Sequence, residues 1–213
     1  PIHVIAHSMG GVFFREFILG GSQWQALNSS PGFKLLFLGA PLGGSFLIPE
    51  TLSGRGGNIS KLSMIDLKHG KKELLQVFSQ CPGLYHLLPL STTPYDFSKQ
   101  KTWQDLIANS QNIGTPPGDE VIKSYTSFRD NILNKKANID YKNIIYVAGK
   151  SDATTATYEI ENNGRDNGVV FKSTPDGDGS VTWASGIPQE LIERNAVYYC
   201  LTTHGELANE PDI

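Results

Sequence analysis

The stretch Ile2-His3-Val4-Ile5-Ala6-His7-Ser8-Met9-Gly10-Gly11-Val12-Phe13 decides the fold. It begins as an apolar run of strand length that stops at His7-Ser8-Met9-Gly10-Gly11, and beyond the stop Val12, Phe13, Phe17 and Ile18 recur at helical spacing. The pattern predicts a strand, a sharp turn and a helix. That helix should end near Gly20-Gly21, where a residue without a Cβ accepts a left-handed stop. Residues 33–38, apolar but for Lys34, read as a second strand and run into Gly39-Ala40-Pro41-Leu42-Gly43-Gly44-Ser45. Strand, helix and strand, with apolar strands, is the pattern of a parallel sheet covered on both faces. The fold class expected is α/β.

Further along, periodicity is mixed from residue 46 to about 138, with a Gly-rich patch at 53–58, a Pro-terminated apolar segment Leu84-Tyr85-His86-Leu87-Leu88-Pro89, and a break at Thr115-Pro116-Pro117-Gly118. Residues 46–140 therefore read as an insertion of short helices and loops. The parallel pattern resumes at 143–148 and closes with Gly149. Two β-like stretches, 155–160 and 168–172, follow, joined by the turn-rich Asn162-Asn163-Gly164-Arg165-Asp166-Asn167, which predicts a hairpin. A helix at 188–194, a last strand at 196–201 and the turn Thr202-Thr203-His204-Gly205 complete the chain's pattern.

Composition narrows the functional classes. The 213 residues suit one large domain or a domain with an inserted part, and 39% hydrophobic with 18% charged residues excludes a disordered chain. A net charge of -3 leaves no basic footprint for nucleic acid. No apolar run approaches the roughly 18 residues of a membrane span. Cys81 and Cys200 could form at most one bridge, and so make neither a disulfide framework nor a four-thiolate metal site. The chain starts at Pro1 in a strand-like run, so any targeting segment is expected to lie outside it.

Ala6-His7-Ser8-Met9-Gly10 fits a nucleophile elbow, in which a serine on a strained strand-to-helix turn projects its hydroxyl above a sheet. Small residues are needed on either side of the serine, and Ala6 and Gly10 are expected to meet that need. A serine hydroxyl needs a base, and imidazole is the usual one. Of five histidines, His3 lies in the first strand and His86 in the insertion, while His69 sits among Lys68, Lys71 and Lys72. His7 adjoins the serine, where neighbouring side chains of an extended segment point apart. His204 directly follows the last strand and is the expected base. A carboxylate must hold that imidazole, and both Asp152, just after Val147-Ala148-Gly149, and Asp178, in Gly177-Asp178-Gly179-Ser180-Val181, come in the chain order serine, acid, histidine. Spacing does not choose between them. The run Pro175-Asp176-Gly177-Asp178-Gly179 also reads as a plain turn, but lacks the later acidic ligands of a calcium loop.

Together, Ala6-His7-Ser8-Met9-Gly10-Gly11, Gly39-Ala40-Pro41-Leu42-Gly43-Gly44-Ser45, Gly177-Asp178-Gly179-Ser180-Val181 and His204 resemble the lecithin:cholesterol acyltransferase family of α/β-hydrolases. The Gly-Ala-Pro-x-Gly-Gly block is the most specific part. Tyr95-Asp96-Phe97 and Leu87-Leu88-Pro89 resemble stretches of that family's cap more loosely. The resemblance implies that the acid is Asp178, in a motif where Ser180 replaces the usual Thr. It implies the C-terminal part of an α/β-hydrolase fold, a mostly parallel sheet with residues 46–140 as a cap or lid, and a catalytic triad of Ser8, Asp178 and His204.

A full fold of this type has strands before the nucleophile strand, and a loop there donates one oxyanion N–H. The expectation is therefore of a chain partial at its N-terminus, with an open apolar edge at residues 2–6 and with the Met9 backbone N–H as the remaining donor to the oxyanion hole. The implied activity is a lipid acyl-ester hydrolase or O-acyltransferase working through an acyl-enzyme, with a lipid or other acyl-ester substrate, contact with a membrane surface, and no metal or organic cofactor. A catalytically inactive hydrolase-fold binding module is the rival expectation.

Overall fold

The computed structural model describes residues 1–65, 68–111, 113–162 and 167–211, leaving aside the side chains of Asn58, Lys61, Leu62, Asn162 and Asn167. The chain forms two compact units. One comprises Pro1–Ser45, Asp130–Thr154 and the residues from Thr174 onward, and the other comprises Phe46–Arg129 and Thr155–Ser173.

The first unit is built on four parallel strands. β1 (His3–His7) runs into helix α1 (Met9–Leu19) and a short α2 (Ser22–Asn28), which return the chain to β2 (Lys34–Leu38). β1 and β2 pair in register from His3 opposite Lys34 to His7 opposite Leu38. The fold class expected from the apolar runs is the one found. Gly20 is still right-handed at the end of α1, and the left-handed stop falls on Gly21 at φ +94°. Helix α2 has no counterpart in the sequence reading. Its single buried apolar anchor, Trp24, meets Phe14 and Phe33 edge-on, with ring centroids at 6.5 and 5.7 Å, a favourable geometry for aromatic quadrupoles.

Between β2 and the next strand the described residues form six α-helices, α3 (Leu47–Leu52), α4 (Gly57–Ile65), α5 (Lys71–Phe78), α6 (Pro82–Tyr85), α7 (Gln100–Ala108) and α8 (Asp119–Lys135), and a 3₁₀ turn at Lys136–Asn138. β3 (Ile144–Ala148) then pairs with β2, placing Leu35 opposite Ile144. The expected hairpin is present as a separate two-stranded sheet of β4 (Thr154–Asn162) and β5 (Asn167–Thr174), longer at both ends than the apolar pattern implied. Of the turn expected at 162–167, residues 163–166 lie outside the described residues. Two short helices, α9 (Trp183–Gly186) and α10 (Gln189–Glu193), lead to β6 (Val197–Tyr199), which pairs with β3.

The strand order is β1-β2-β3-β6. Leu35, Phe37, Ile144, Tyr146 and Ala148 in the middle strands are buried and pack with Ile18, Trp24, Phe33 and Leu191. Each such large apolar side chain contributes about 1.5 to 3 kcal/mol by leaving water. The outer strands are wetter. Ile2 and Ile5 beside or in β1, and Tyr198 and Tyr199 in β6, are exposed.

The second unit packs Tyr85, Leu88, Phe97, Trp103, Tyr125 and Tyr158 into its own core. Two of its buried polar tips are anchored to backbone, Trp103 Nε1 donating to Phe97 O at 3.0 Å and the Tyr125 hydroxyl to Pro89 O at 2.5 Å, while the Tyr85 hydroxyl meets no hydrogen-bond partner among the described residues. Arg129 pairs with Asp96 at 2.9 Å. Among the described residues, no helix is long and apolar enough to cross a membrane.

Candidate active site

Ser8 joins β1 to α1 with φ +55° and ψ −126°, a conformation that costs a non-glycine residue of order 1–3 kcal/mol. The strain is held from both sides. The Ser8 N–H donates to Leu38 O at 2.9 Å, fastening the turn to the end of β2, and Ser8 O accepts from Gly11 N at 2.9 Å as the helix begins. A Cβ on Gly11 would lie 2.3 Å from Ala40 Cβ and 3.1 Å from the Phe37 ring, whereas one on Gly10 would meet nothing within 4 Å. The close approach anticipated at Gly10 therefore falls one residue later, because the helix face that packs on β2 carries Gly11.

The four strands point their carboxyl ends at this place, where open parallel sheets bind ligands. Ser8 follows β1, Gly39 follows β2, Gly149 follows β3, and His204 lies in the turn after β6. His204 Nε2 is 2.7 Å from Ser8 Oγ, and its Nδ1 is 2.8 Å from Asp178 Oδ2. The Asp178 side chain is 3% exposed and that of His204 17%, so the carboxylate is the buried end of the chain of bonds and the serine its half-open end.

Asp178 is held as firmly as the imidazole. Its Oδ1 accepts from the Ser180 and Val181 N–H groups at 2.9 and 2.8 Å, leaving Oδ2 for His204. Both carboxylate oxygens are thus engaged within the protein. The buried Thr154 braces the same turn, its hydroxyl accepting from Gly179 N at 2.8 Å. Gly39, at φ +52°, makes room, since a Cβ there would sit 2.7 Å from Asp178 Oδ2 and 3.1 Å from His204 Nδ1. On Gly149 it would meet Thr202 O at 2.4 Å. Nearby, the Tyr146 hydroxyl donates to Ala40 O at 2.7 Å, and burial, reinforced by the Asp178 charge, keeps that phenol well above its ordinary pKa.

The profile of the family described as lecithin:cholesterol acyltransferase matches residues 1–213. The chain belongs to the lecithin:cholesterol acyltransferase family. No curated protein sequence matches it significantly. Among solved structures, a chain in the crystal structure of a Tle4–Tli4 complex shares the fold, with a TM-score of 0.58 at 15% identity. The match covers 98% of this chain and 56% of that one, so the chain spans little more than half the length of its structural relative.

In this lecithin:cholesterol acyltransferase family member Asp152, Met9 and His86 lie in three different settings. Asp152 is exposed in a bend after β3 and is not the carboxylate on His204. Met9 is the first residue of α1, so its N–H is among those a helix leaves without an internal partner. His86 belongs to the second unit, where its Nε2 lies 3.1 Å from Ser124 Oγ and its ring stacks on Phe128 at 4.1 Å. Burial lowers its pKa. Ser124 lies inside α8, where neighbouring N–H groups are taken up by the helix, so that contact offers no oxyanion site.

Two residues with no assigned role in the sequence reading take part. Arg15, 5% exposed on α1, donates to Leu42 O and so ties the helix behind Ser8 to the Gly-rich loop after β2. Burial lowers its pKa to about 10 even with Glu16 beside it, and burial in turn raises that of Glu16. An Arg at an apolar helical position next to Phe14 was the visible signal. His7, set aside because its side chain points away from that of Ser8, instead reaches the His204 backbone, its Nε2 donating to His204 O at 2.9 Å.

Proposed function

We propose that the chain is a serine-dependent hydrolase or O-acyltransferase acting on a lipid acyl ester, with Ser8 as nucleophile, His204 as base and Asp178 as the group that orients it. The observation that carries this reading is the unbroken link from Asp178 Oδ2 through His204 to Ser8 Oγ, at 2.8 and 2.7 Å, on a backbone strained at Ser8. Family membership supports the acyl ester as substrate class.

In the first half-reaction Ser8 Oγ attacks the ester carbonyl carbon while His204 Nε2 takes the hydroxyl proton. Asp178 keeps Nδ1 protonated, so that Nε2 is the free acceptor, and stabilises the imidazolium that forms. The carbonyl oxygen becomes an oxyanion facing the Met9 N–H at the start of α1, where the helix dipole also favours negative charge. Collapse breaks the bond to the leaving alcohol, which departs with the proton from Nε2 and leaves an acyl ester on Ser8. Water or an acceptor alcohol then gives its proton to Nε2 and attacks the acyl carbon. The products are a free acid or a new ester, and the proton returns to Ser8. Residues 46–140 serve in this reading as a cap for the acyl chain, and access to lipid esters brings the protein to a membrane surface.

The test is labelling of the purified protein with a fluorophosphonate probe. Wild type is expected to label, and Ser8→Ala to remain unlabelled. A wild-type protein that stays unlabelled while folded would replace this reading with that of a hydrolase-fold binding module. With a radiolabelled phospholipid as donor, free fatty acid alone marks a hydrolase, and a labelled ester formed on an added long-chain alcohol marks an acyltransferase.

A further inference from the structure

We infer that His7 is a positioning residue for His204, fixing the backbone of the base to the elbow that carries the nucleophile; this rests on the acyl-transfer reading above. The turn bearing His204 exposes most of its side chains, and on either side of His204 it is held by backbone bonds from Lys150 N–H to Thr202 O at 2.8 Å and from Glu206 N–H to Thr203 O at 3.0 Å. Leu201 is 91% exposed, and Thr203, Gly205 and Glu206 are exposed as well. Buried Leu207 closes the turn on one side.

At His204 itself the peptide is held at both its polar groups. Its N–H donates to Asp178 O at 2.9 Å, and its carbonyl accepts from His7 Nε2 at 2.9 Å. The first bond ties the base to the acid's turn. The second ties it to the residue covalently joined to Ser8, itself in register opposite Leu38 at the end of β2. The distance between base and nucleophile is therefore set through a short closed path, from Ser8 to His7 to the His204 carbonyl and out along its side chain to Ser8 Oγ.

Because a carbonyl can only accept, His7 must carry its proton on Nε2. The two imidazole rings lie 5.1 Å apart at 37°, so the donor reaches past the side chain of His204 to its backbone. A ring without a donor would fill the same space and leave the carbonyl unheld. Glutamine places an amide N–H close to where Nε2 lies.

The experiment compares His7→Phe and His7→Gln with wild type. Losing one ordering hydrogen bond is expected to slow fluorophosphonate labelling of Ser8 about tenfold in His7→Phe, and His7→Gln should recover to within about twofold of wild type. On a soluble p-nitrophenyl ester the loss should appear in kcat and not in KM, because His7 does not touch substrate in this arrangement. Labelling of His7→Phe at the wild-type rate, or a fall in both variants alike, overturns the proposal. Nitrogen-15 NMR of histidine-labelled wild type at pH 8 provides a readout independent of activity and of how well the variants fold. A neutral Nε2–H tautomer at His7 is expected, and an Nδ1–H tautomer rejects the proposal. If wild type labels with no probe, the acyl-transfer reading falls, and the tautomer still decides whether His7 holds the His204 backbone.

Discussion

In the sheet unit, four buried polar side chains serve one turn, whereas in the helical unit the paired polar side chains are scattered over separate segments. Ser45 bonds to Ser180 O, Thr154 to Gly179 N, Asp178 to Ser180 and Val181 N, and Thr182 caps α9 through Ser185 N. All of them hold residues 178–185, the segment that supplies the carboxylate to His204. In the helical unit Trp103, Tyr125 and Tyr95 reach Phe97, Pro89 and Tyr158 carbonyls respectively, and Asp96 meets Arg129. Concentrated bonding fixes one geometry, and dispersed bonding fixes a core. Substitutions should therefore cost rate in the first unit and stability in the second.

The largest expected effect is that of Asp178→Asn. The amide oxygen can still accept from Ser180 and Val181, so the turn should keep its shape. The amide nitrogen would then face His204 Nδ1, a donor meeting a donor, and would force the proton onto Nε2. An imidazole of that tautomer cannot take the Ser8 proton. Turnover is expected to fall about 10⁴-fold, with an unchanged thermal melt. A large fall in melting temperature together with a small change in rate would reverse the contrast drawn between the units.

Gly39→Ala comes next. The new methyl group would press on both the carboxylate and the imidazole, at a position whose positive φ already disfavours it. If Asp178 and His204 act as proposed, displacing them by an ångström or less costs about 10²-fold in rate. The substitution should also lower stability by about 1 to 2 kcal/mol, measurable by denaturant titration. Gly10→Ala provides the matched comparison, since its methyl group would meet nothing. It should stabilise α1 by about 0.5 to 1 kcal/mol.

These two glycines also mark what could be read from the chain. The strands at 34–38 and 144–148, the elbow at Ser8 and the loop carrying His204 were legible because each is, or directly follows, an apolar run ended by a tight turn, a local pattern that holds even though β1 and β6 are for the most part not buried. Gly39 stood within the block that carried the family resemblance, yet its reason, the space needed by Asp178 and His204, joins three distant segments. The choice of Asp178 over Asp152 came from resemblance and not from spacing. The reach of His7 to the His204 carbonyl depends on how β1 and the turn after β6 face each other, and no local pattern encodes that. Helix α2 was missed for the opposite reason. It is short, and its one buried aromatic gives no periodicity to detect.

Asp96→Asn tests the helical unit, with a moderate effect expected. Burial pushes the Asp96 carboxyl up, but hydrogen bonds from the Ser98 side chain and backbone and from Arg129 outweigh it and hold the group below its ordinary value. A carboxyl lowered in the folded state stabilises above its unfolded pKa, about 3.9, and that contribution is lost as the pH falls through the lower folded value. Wild type should therefore lose stability in acid partly through Asp96. The Asn variant, about 2 kcal/mol less stable at pH 7, should lose less on going from pH 7 to about 3. Equal acid sensitivity in urea titrations of the two proteins would remove Asp96 as a contributor.

The smallest effect belongs to Asp152→Asn, and it bears directly on the acid in the sheet unit. Asp152 and Asp178 both lie between the serine and the histidine in the chain, and both stand near strand ends. Asp152 occupies an exposed bend and its side chain makes no hydrogen bond or ion pair with a described residue, while Asp178 is 2% exposed with both oxygens engaged. An exposed carboxylate without a partner has little to lose when neutralised. Stability should change by no more than about 0.5 kcal/mol, and turnover on a p-nitrophenyl ester by no more than about twofold. A fall in kcat of more than about tenfold in Asp152→Asn, set beside a mild Asp178→Asn, would mean that His204 turns to the other carboxylate in the working protein. The turn at residues 178–185 would then be a structural brace, and its concentration of buried hydrogen bonds would serve the fold and not the reaction.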